Sequence, residues 1–149
     1  MLNSSYIDGD IFMGDDDDFY FGVSGTVEYG HNIHLGSGDD TMEGGGGDGK
    51  LRGGSGADRF DGGHGNDRLW GGSGADVFHF DRGEGINTIK DFENNIDLIE
   101  LDNFALTKAE ALALATETAG NVVFDFGGDG TLIVENATIA QLVNDLEMV

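Results

Sequence analysis

Between Leu35 and His79 the chain repeats itself every nine residues. The blocks read LGSGDDTME (35–43), GGGGDGKLR (44–52), GGSGADRFD (53–61), GGHGNDRLW (62–70) and GGSGADVFH (71–79). A nine-residue unit has one apolar residue to bury and no partner within itself, so it gains a core only by stacking on copies of itself. The eighth position is always apolar: Met42, Leu51, Phe60, Leu69, Phe78. The sixth is aspartate at Asp40, Asp58, Asp67 and Asp76, but glycine at Gly49, where the acid has moved one place back to Asp48. Gly-Gly-x-Gly lets the backbone turn through conformations that a Cβ would forbid. The next three residues run as a short strand, with the apolar side chain inward and its two neighbours outward. Two blocks then make one coil, and alternate blocks stack at the strand spacing of about 4.8 Å. The sixth positions fall into two rows. One edge carries Asp40, Asp58 and Asp76, and the opposite edge carries His31, Gly49, Asp67 and Gly85.

The flanks keep the strand character and lose the period. Upstream, short apolar runs end in glycine at IFMG (11–14), FYFG (19–22), VEYG (27–30) and IHLG (33–36). They are expected to form coils of unequal length that cover the N-terminal end. Downstream, residues 80–101 alternate apolar and polar side chains and are expected to continue as strands. TKAEALALATE (107–117) opens with a capping box, Thr107 with Glu110, and predicts a helix. NVVFDF (121–126), GGDG and TLIVEN (131–136) predict a β-hairpin. Thr138 with Gln141 starts a second, shorter helix. The expectation is a single domain over 1–149, with irregular coils at 1–35, repeats at 36–79 and a cap of strands, hairpin and short helices at 80–149.

Charge limits the partners. Twenty-nine acidic residues against seven basic ones give a formal net charge of -22. That excess repels nucleic acid and anionic membrane, and it opposes a compact state unless cations offset it. Disorder, the usual fate of so acidic a chain, fits poorly with 38% hydrophobic residues and ten phenylalanines. There is no cysteine, hence no disulfide and no thiolate metal site. The N-terminal residues MLNSSYIDGD show no secretory signal, and no segment is long and apolar enough to span a membrane.

The blocks resemble the RTX nonapeptide, GGxGxDxUx, of the haemolysin-type calcium-binding repeat family. Blocks 53–61, 62–70 and 71–79 match in full, and 35–43 and 44–52 in part. The resemblance implies a mainly β fold, a right-handed parallel β-roll or β-solenoid, with several Ca²⁺ ions held between stacked turns. It implies side-chain ligands at Asp40, Asp58, Asp67 and Asp76, with Asp48 and Asp91 as further candidates. Backbone carbonyls would come from Gly36, Gly53, Gly54, Ser55, Ala57, Gly62, Gly63, His64, Asn66, Gly71, Gly72, Ser73 and Ala75. Such a donor set suits a hard cation that takes six to eight oxygens, roughly speaking. The acid run Asp15–Asp18 reads either as a solvated loop or as one more calcium site. The resemblance also implies secretion from a bacterium by a type I exporter that reads an uncleaved C-terminal signal, here NDLEMV. Calcium outside the cell would then drive folding.

Other functions are less well supported by the residues. Lys50, Arg52, Arg68 and Trp70 fall on one sheet face in alternate blocks, a cationic and aromatic patch that suits an acidic, alginate-like polysaccharide. RTX modules attached to alginate epimerases resemble this chain in size and repeat type. A non-catalytic surface or adhesion protein is a further class. Ice binding needs a regular outward ladder, and the outward residues Thr41, Arg59, Val77 and Glu43, Asp61, His79 make none. The four histidines, His31, His34, His64 and His79, have no zinc-motif spacing. No nucleophile, zinc-protease or phosphate-loop motif is present, so no catalytic residue is assigned.

Overall fold

The computed structural model describes residues 10–22 and 32–149. The run at 27–30 and His31 lie outside the described residues. Two parallel sheets face each other, and the chain alternates between them. One sheet takes β1 (Ile11–Asp15), β3 (Asn32–Ser37), β5 (Lys50–Ser55), β7 (Arg68–Ser73) and β9 (Ile86–Ile89). The other takes β2 (Phe19–Phe21), β4 (Thr41–Gly45), β6 (Arg59–Gly63), β8 (Val77–Asp81) and β10 (Leu98–Asp102). This is a parallel β-solenoid of about four turns. Within the repeats the register advances by two blocks per coil, as Lys50 against Arg68 and Thr41 against Arg59 show. The N-terminal coil is longer, with Ile11 level with Ile33 and Phe19 level with Thr41.

The strands run longer than the three residues expected, because the first glycines of the next block belong to them. In β5 the inward positions are Leu51 and Gly53. Gly53 is needed for space: a Cβ there would lie 2.1 Å from the Oδ2 of Asp58. Gly54 is needed for conformation, at φ +128, where side chains are strained. The first two glycines of a block therefore do different work.

The core is a narrow file between the sheets. Met42, Phe60, Phe78 and Ile99 line it from one side, and Ile33, Leu51, Leu69 and Ile89 from the other, all buried. Phe60 and Phe78 stack with centroids 5.2 Å apart.

The C-terminal residues close the roll. Helix α1 (Lys108–Leu114) has the expected Thr107–Glu110 capping box. It ends before the expected Glu117, and Ala115–Thr118 forms β11, antiparallel to β12 (Asn121–Asp125). The open edge of β12 offers those residues backbone partners, and Ala115 turns extended at ψ 140. The expected hairpin joins β12 to β13 (Thr131–Val134), and β13 pairs in parallel with β9. The second capping box opens α2 (Ile139–Asp145). The last segment, β14 (Leu146–Met148), adds in parallel to β10.

Candidate metal centre

The sixth-position aspartates stand inside the turns, against the core file. Asp40, Asp58 and Asp76 are each only 1% exposed, yet among the described residues no lysine or arginine pairs with them. Each gives one oxygen to the coil before it. Asp18 N–H donates to Asp40 Oδ1 at 2.7 Å, Asp40 N–H to Asp58 at 2.9 Å, Asp58 N–H to Asp76 at 2.9 Å, and Asp76 N–H to Asp97 at 3.0 Å. The row expected from the repeats thus extends at both ends, to Asp18 and Asp97. In Asp18, Asp40, Asp58 and Asp76 the Oδ2 atom is buried and has no partner among the described residues. Asp97 differs, because its Oδ2 accepts from Glu93 N–H at 2.8 Å. The row of free oxygens ends there.

The opposite edge holds Asp67, also 1% exposed, whose Oδ1 accepts from Gly49 N–H at 2.6 Å. Its neighbour on the next coil was expected to be Gly85 and is Asn87, whose side-chain oxygen accepts from Asp67 N–H at 3.0 Å. The turn after β8 carries two extra residues, so Arg68 pairs with Thr88 and the row shifts. Asp48 does not stand in for Gly49 in this inner row. It occupies the fifth position, and its Oδ1 accepts from Asn66 N–H at 2.8 Å on the exposed side of the turn.

Fifth positions make a second, outer ladder that runs the other way. Asp17 accepts from Asp39 N–H, Asp39 from Ala57 N–H, Asp48 from Asn66 N–H, and Asn66 from Ile86 N–H. Inner side chains reach towards the N-terminal coil and outer ones towards the C-terminal coil. The acid run is thereby divided: Asp17 joins the outer ladder and Asp18 the inner row. Asp91 stands level with Gly71, whose N–H it accepts at 2.9 Å, and so lies outside the sixth-position row.

Burial works against these charges. It raises the Asp58 carboxyl to about 6, with Asp76, Asp40 and Asp39 adding to the shift. Burial likewise raises Asp67 to about 7 and Asp97 to about 6, and pushes Asp76 and Asp91 upward. Backbone N–H donors oppose the rise in every case and do not cancel it. Glu84, in the turn after β8, is raised furthest, to about 8, by burial and then by the charges of Asp61, Asp81 and Asp67.

A buried carboxylate with one free oxygen, stacked on another of its kind, is a donor set suited to a cation. Glycine carbonyls pack close by: Gly36 O lies 2.1 Å from where a Cβ of Gly54 would sit, and Gly54 O equally close under Gly72. All these donors are oxygen, so the residues fit calcium. Of the expected carbonyls, those of Ser55 and Ser73 already accept from Gly38 and Gly56 N–H at 2.9 Å. Gly53, Gly62 and Gly71 lie beside the free oxygens of Asp58, Asp67 and Asp76 respectively. Gly63, His64, Asn66 and Ala57, Ala75 lie in the same stacked turns.

The basic patch assembles as expected and is longer. Lys50 pairs with Arg68 and Arg52 with Trp70 in register, and the Arg52 guanidinium lies 3.8 Å over the Trp70 ring. The same line begins with Phe12 stacked on His34 at 4.7 Å. His79, on the other sheet, binds Glu100 at 3.2 Å and sits within metal-ligating reach of Asp81 and Asp102. Strand register brings these together, so their spacing in sequence carried no motif.

Asn87, Asp97 and Glu84 were missed from the sequence. Asn87-Thr-Ile89 and Asp97-Leu-Ile99 keep the acid-or-amide, x, apolar half of the block without its glycines, and that half was the available signal.

Comparison with known proteins agrees with this geometry. Residues 32–89 match the RTX calcium-binding nonapeptide repeat in three overlapping stretches. The AlgE6R3 subunit of the Azotobacter vinelandii mannuronan C5-epimerase superposes with a TM-score of 0.50 at 25% identity, covering 91% of this chain and 79% of that one. The extracellular lipase LipA of Serratia marcescens superposes with a TM-score of 0.55 at 18% identity. That match covers 92% of this chain and spans 20% of the lipase's length. No curated protein sequence matches. Residues 32–89, which match that repeat, thus lie within a parallel β-solenoid.

Proposed function

We propose that the chain is a calcium-dependent folding module of a protein secreted by a bacterium, with no catalytic role of its own. The observation that carries this reading is the row Asp40, Asp58, Asp76, buried and hydrogen-bonded through one carboxylate oxygen only, with the half-buried Asp18 continuing it. Asp67 forms the core of a second row on the opposite edge. Calcium, when bound between the turns, supplies the positive charge that these carboxylates lack. In a cytoplasm poor in calcium the acids repel and the repeats stay open; outside the cell, binding free energy becomes folding free energy. The proposed export segment supports this order of events. Leu146–Met148 becomes β14 in the fold, with Leu146 buried, so an exporter could read it only in the unfolded chain.

Circular dichroism tests the reading. In excess chelator the β signal should be largely absent, and millimolar calcium should restore it cooperatively. Magnesium should substitute poorly, since it holds its water and demands tight octahedral geometry. A full β signature in chelator would overturn the proposal.

One observation favours a second activity on the same scaffold. The line Phe12, His34, Arg52, Trp70 presents aromatic and cationic side chains on one face, suited to an acidic polysaccharide. Replacing Arg52, Arg68 and Trp70 by alanine should abolish alginate binding measured in calcium while leaving calcium-induced folding intact.

A further inference from the structure

Outside the buried rows, one group of side chains comes within metal-ligating reach among the described residues. A ring nitrogen of His79 and one carboxylate oxygen each of Asp81 and Asp102 all lie within 4.8 Å of one another. Strand geometry brings them there. His79 and Asp81 are two positions apart on β8 and so share its outer face. Asp102 ends β10 and is the register partner of Asp81. All three are half-buried. The two carboxylates meet across the strands, and among the described residues no lysine or arginine side chain pairs with either. Like charges so close repel unless a cation stands between them.

Each ligand is held in place by a neighbour. Asn103 fastens both carboxylates: its N–H donates to Asp102 Oδ1 at 2.7 Å and its side-chain amide to Asp81 Oδ1 at 2.8 Å. Arg82 N–H adds a bond of 3.2 Å to the same Asp81 oxygen. Each carboxylate thus keeps its Oδ2 for another partner. His79 is oriented through its ring. Its Nδ1 lies 3.2 Å from Glu100 Oε2, and the Arg59 guanidinium holds that oxygen at 2.7 Å. The guanidinium also lies 3.4 Å from Nδ1. A bare Nδ1 would set its lone pair against the nearer carboxylate oxygen, so Nδ1 carries the proton and donates to Glu100. The lone pair of the neutral ring is then on Nε2. A histidine whose other nitrogen donates to a carboxylate is the usual arrangement at a metal.

We infer that His79, Asp81 and Asp102 form a zinc-type site on the outer sheet face, separate from the calcium rows, that clasps β8 to β10. One imidazole nitrogen with two carboxylate oxygens suits zinc, whereas calcium takes oxygen ligands alone. Ligand atoms on a tetrahedral zinc stand about 3.4 Å apart, so side-chain rotation closes this group on an ion, and water completes the shell. Glu100 is a positioning residue here, since it acts on the ion only through the ring. Strand β8 belongs to the last repeat block and β10 to the C-terminal section, so a bound ion ties the two regions together at their boundary.

The test is titration of the full chain with zinc in saturating calcium, by isothermal calorimetry, with the thermal midpoint read by circular dichroism. One zinc should bind and raise the midpoint, as a ligand of the folded state does. His79→Ala should lose both the zinc and the rise, while its calcium-induced β signal stays unchanged. Glu100→Gln should weaken zinc about 10–100-fold, the usual effect of losing a partner behind a ligand. Asp102→Asn, which loses a ligand, should weaken it at least as much. Undiminished zinc binding in His79→Ala or in Asp102→Asn overturns the site. No zinc uptake by the unmodified chain overturns it too, and leaves His79 as a bridge of charge between Glu100 and the two aspartates. If His79→Ala does not fold, Asp102→Asn decides. The titration reads the same on a chain already folded without calcium, so its outcome is separate from that of the repeat turns.

Discussion

From Met42 to Phe78 the interior is a narrow file, and each block from 53 to 79 buries one carboxylate beside one large apolar side chain. From Leu98 onward it broadens into an ordinary apolar core. Leu101, Val122, Phe124, Leu132, Leu142 and Leu146 are fully or almost fully buried there. Phe126 packs between Phe104 at 4.3 Å and Phe124 at 6.0 Å. Both helices in this part are closed by capping boxes. The row of free oxygens stops at the boundary, where Asp97 has both oxygens satisfied by backbone N–H groups. The two regions share both sheets and differ in what opposes unfolding. In the repeats burial raises an electrostatic cost that a bound cation would offset, whereas in the C-terminal section burial is chiefly of apolar side chains and favourable.

That contrast breaks first if a core mutation in the C-terminal section proves calcium-correctable. Phe124→Ala should cost about 3–5 kcal/mol, the usual loss for a buried phenylalanine. The loss should persist at saturating calcium, as read from denaturant midpoints of the calcium-bound chain. Full rescue by added calcium would mean that the two regions are not separately stabilised.

Asp58 has buried free-oxygen neighbours in repeat turns on both sides, Asp40 and Asp76, whereas Asp40 has Asp58 on one side and, on the other, the half-buried Asp18 outside the repeats. Asp67 has Gly49 before it and Asn87 after it. Asp58→Ala should therefore raise the calcium midpoint for folding more than Asp67→Ala, with Asp40→Ala between them. Losing one partner of a buried charged group costs about 3 kcal/mol or more, which sets the scale for Asp58. Calorimetric titration of the three variants gives the order, and a larger effect at Asp67 would contradict the assignment of free carboxylates to one row.

A smaller effect comes from pH. The folded carboxyls of Asp58, Asp67 and Asp97 lie near 6 or 7, above an ordinary aspartate at 3.8. Between those limits the folded chain binds more protons than the unfolded one, so calcium-free stability falls as pH rises through the window. In chelator the β signal should grow as pH drops from 7.5 towards 5. Calcium affinity should fall over the same range, because protons compete for the same oxygens. A calcium-free chain that orders better at high pH would sink this account of the turns.

The period of nine, the sixth-position acids and the eighth-position apolar residues were enough to place two sheets, alternate stacking and the row Asp40, Asp58, Asp76. Each follows from strand alternation and from the inability of one block to bury itself. Both capping boxes and the hairpin were legible for the same kind of reason, since backbone donors and turn residues lie within a few positions of one another. Other features depended on how far apart coils meet. The two extra residues after β8 put Asn87 rather than Gly85 beside Asp67. Asp48 reads as a spare ligand in sequence, and the fold places it in an outer ladder, with one oxygen accepting from Asn66 of the next coil. The early end of α1 was decided by a free strand edge at β12. Glu84 has no motif at all; only stacking against the last repeat buries its carboxylate and leaves it without a partner. Local chemistry and period belong to the sequence, because they act between neighbours along the chain. The identity of an acid's partner belongs to the tertiary structure, because a shift of one or two residues in a turn changes which coil it faces.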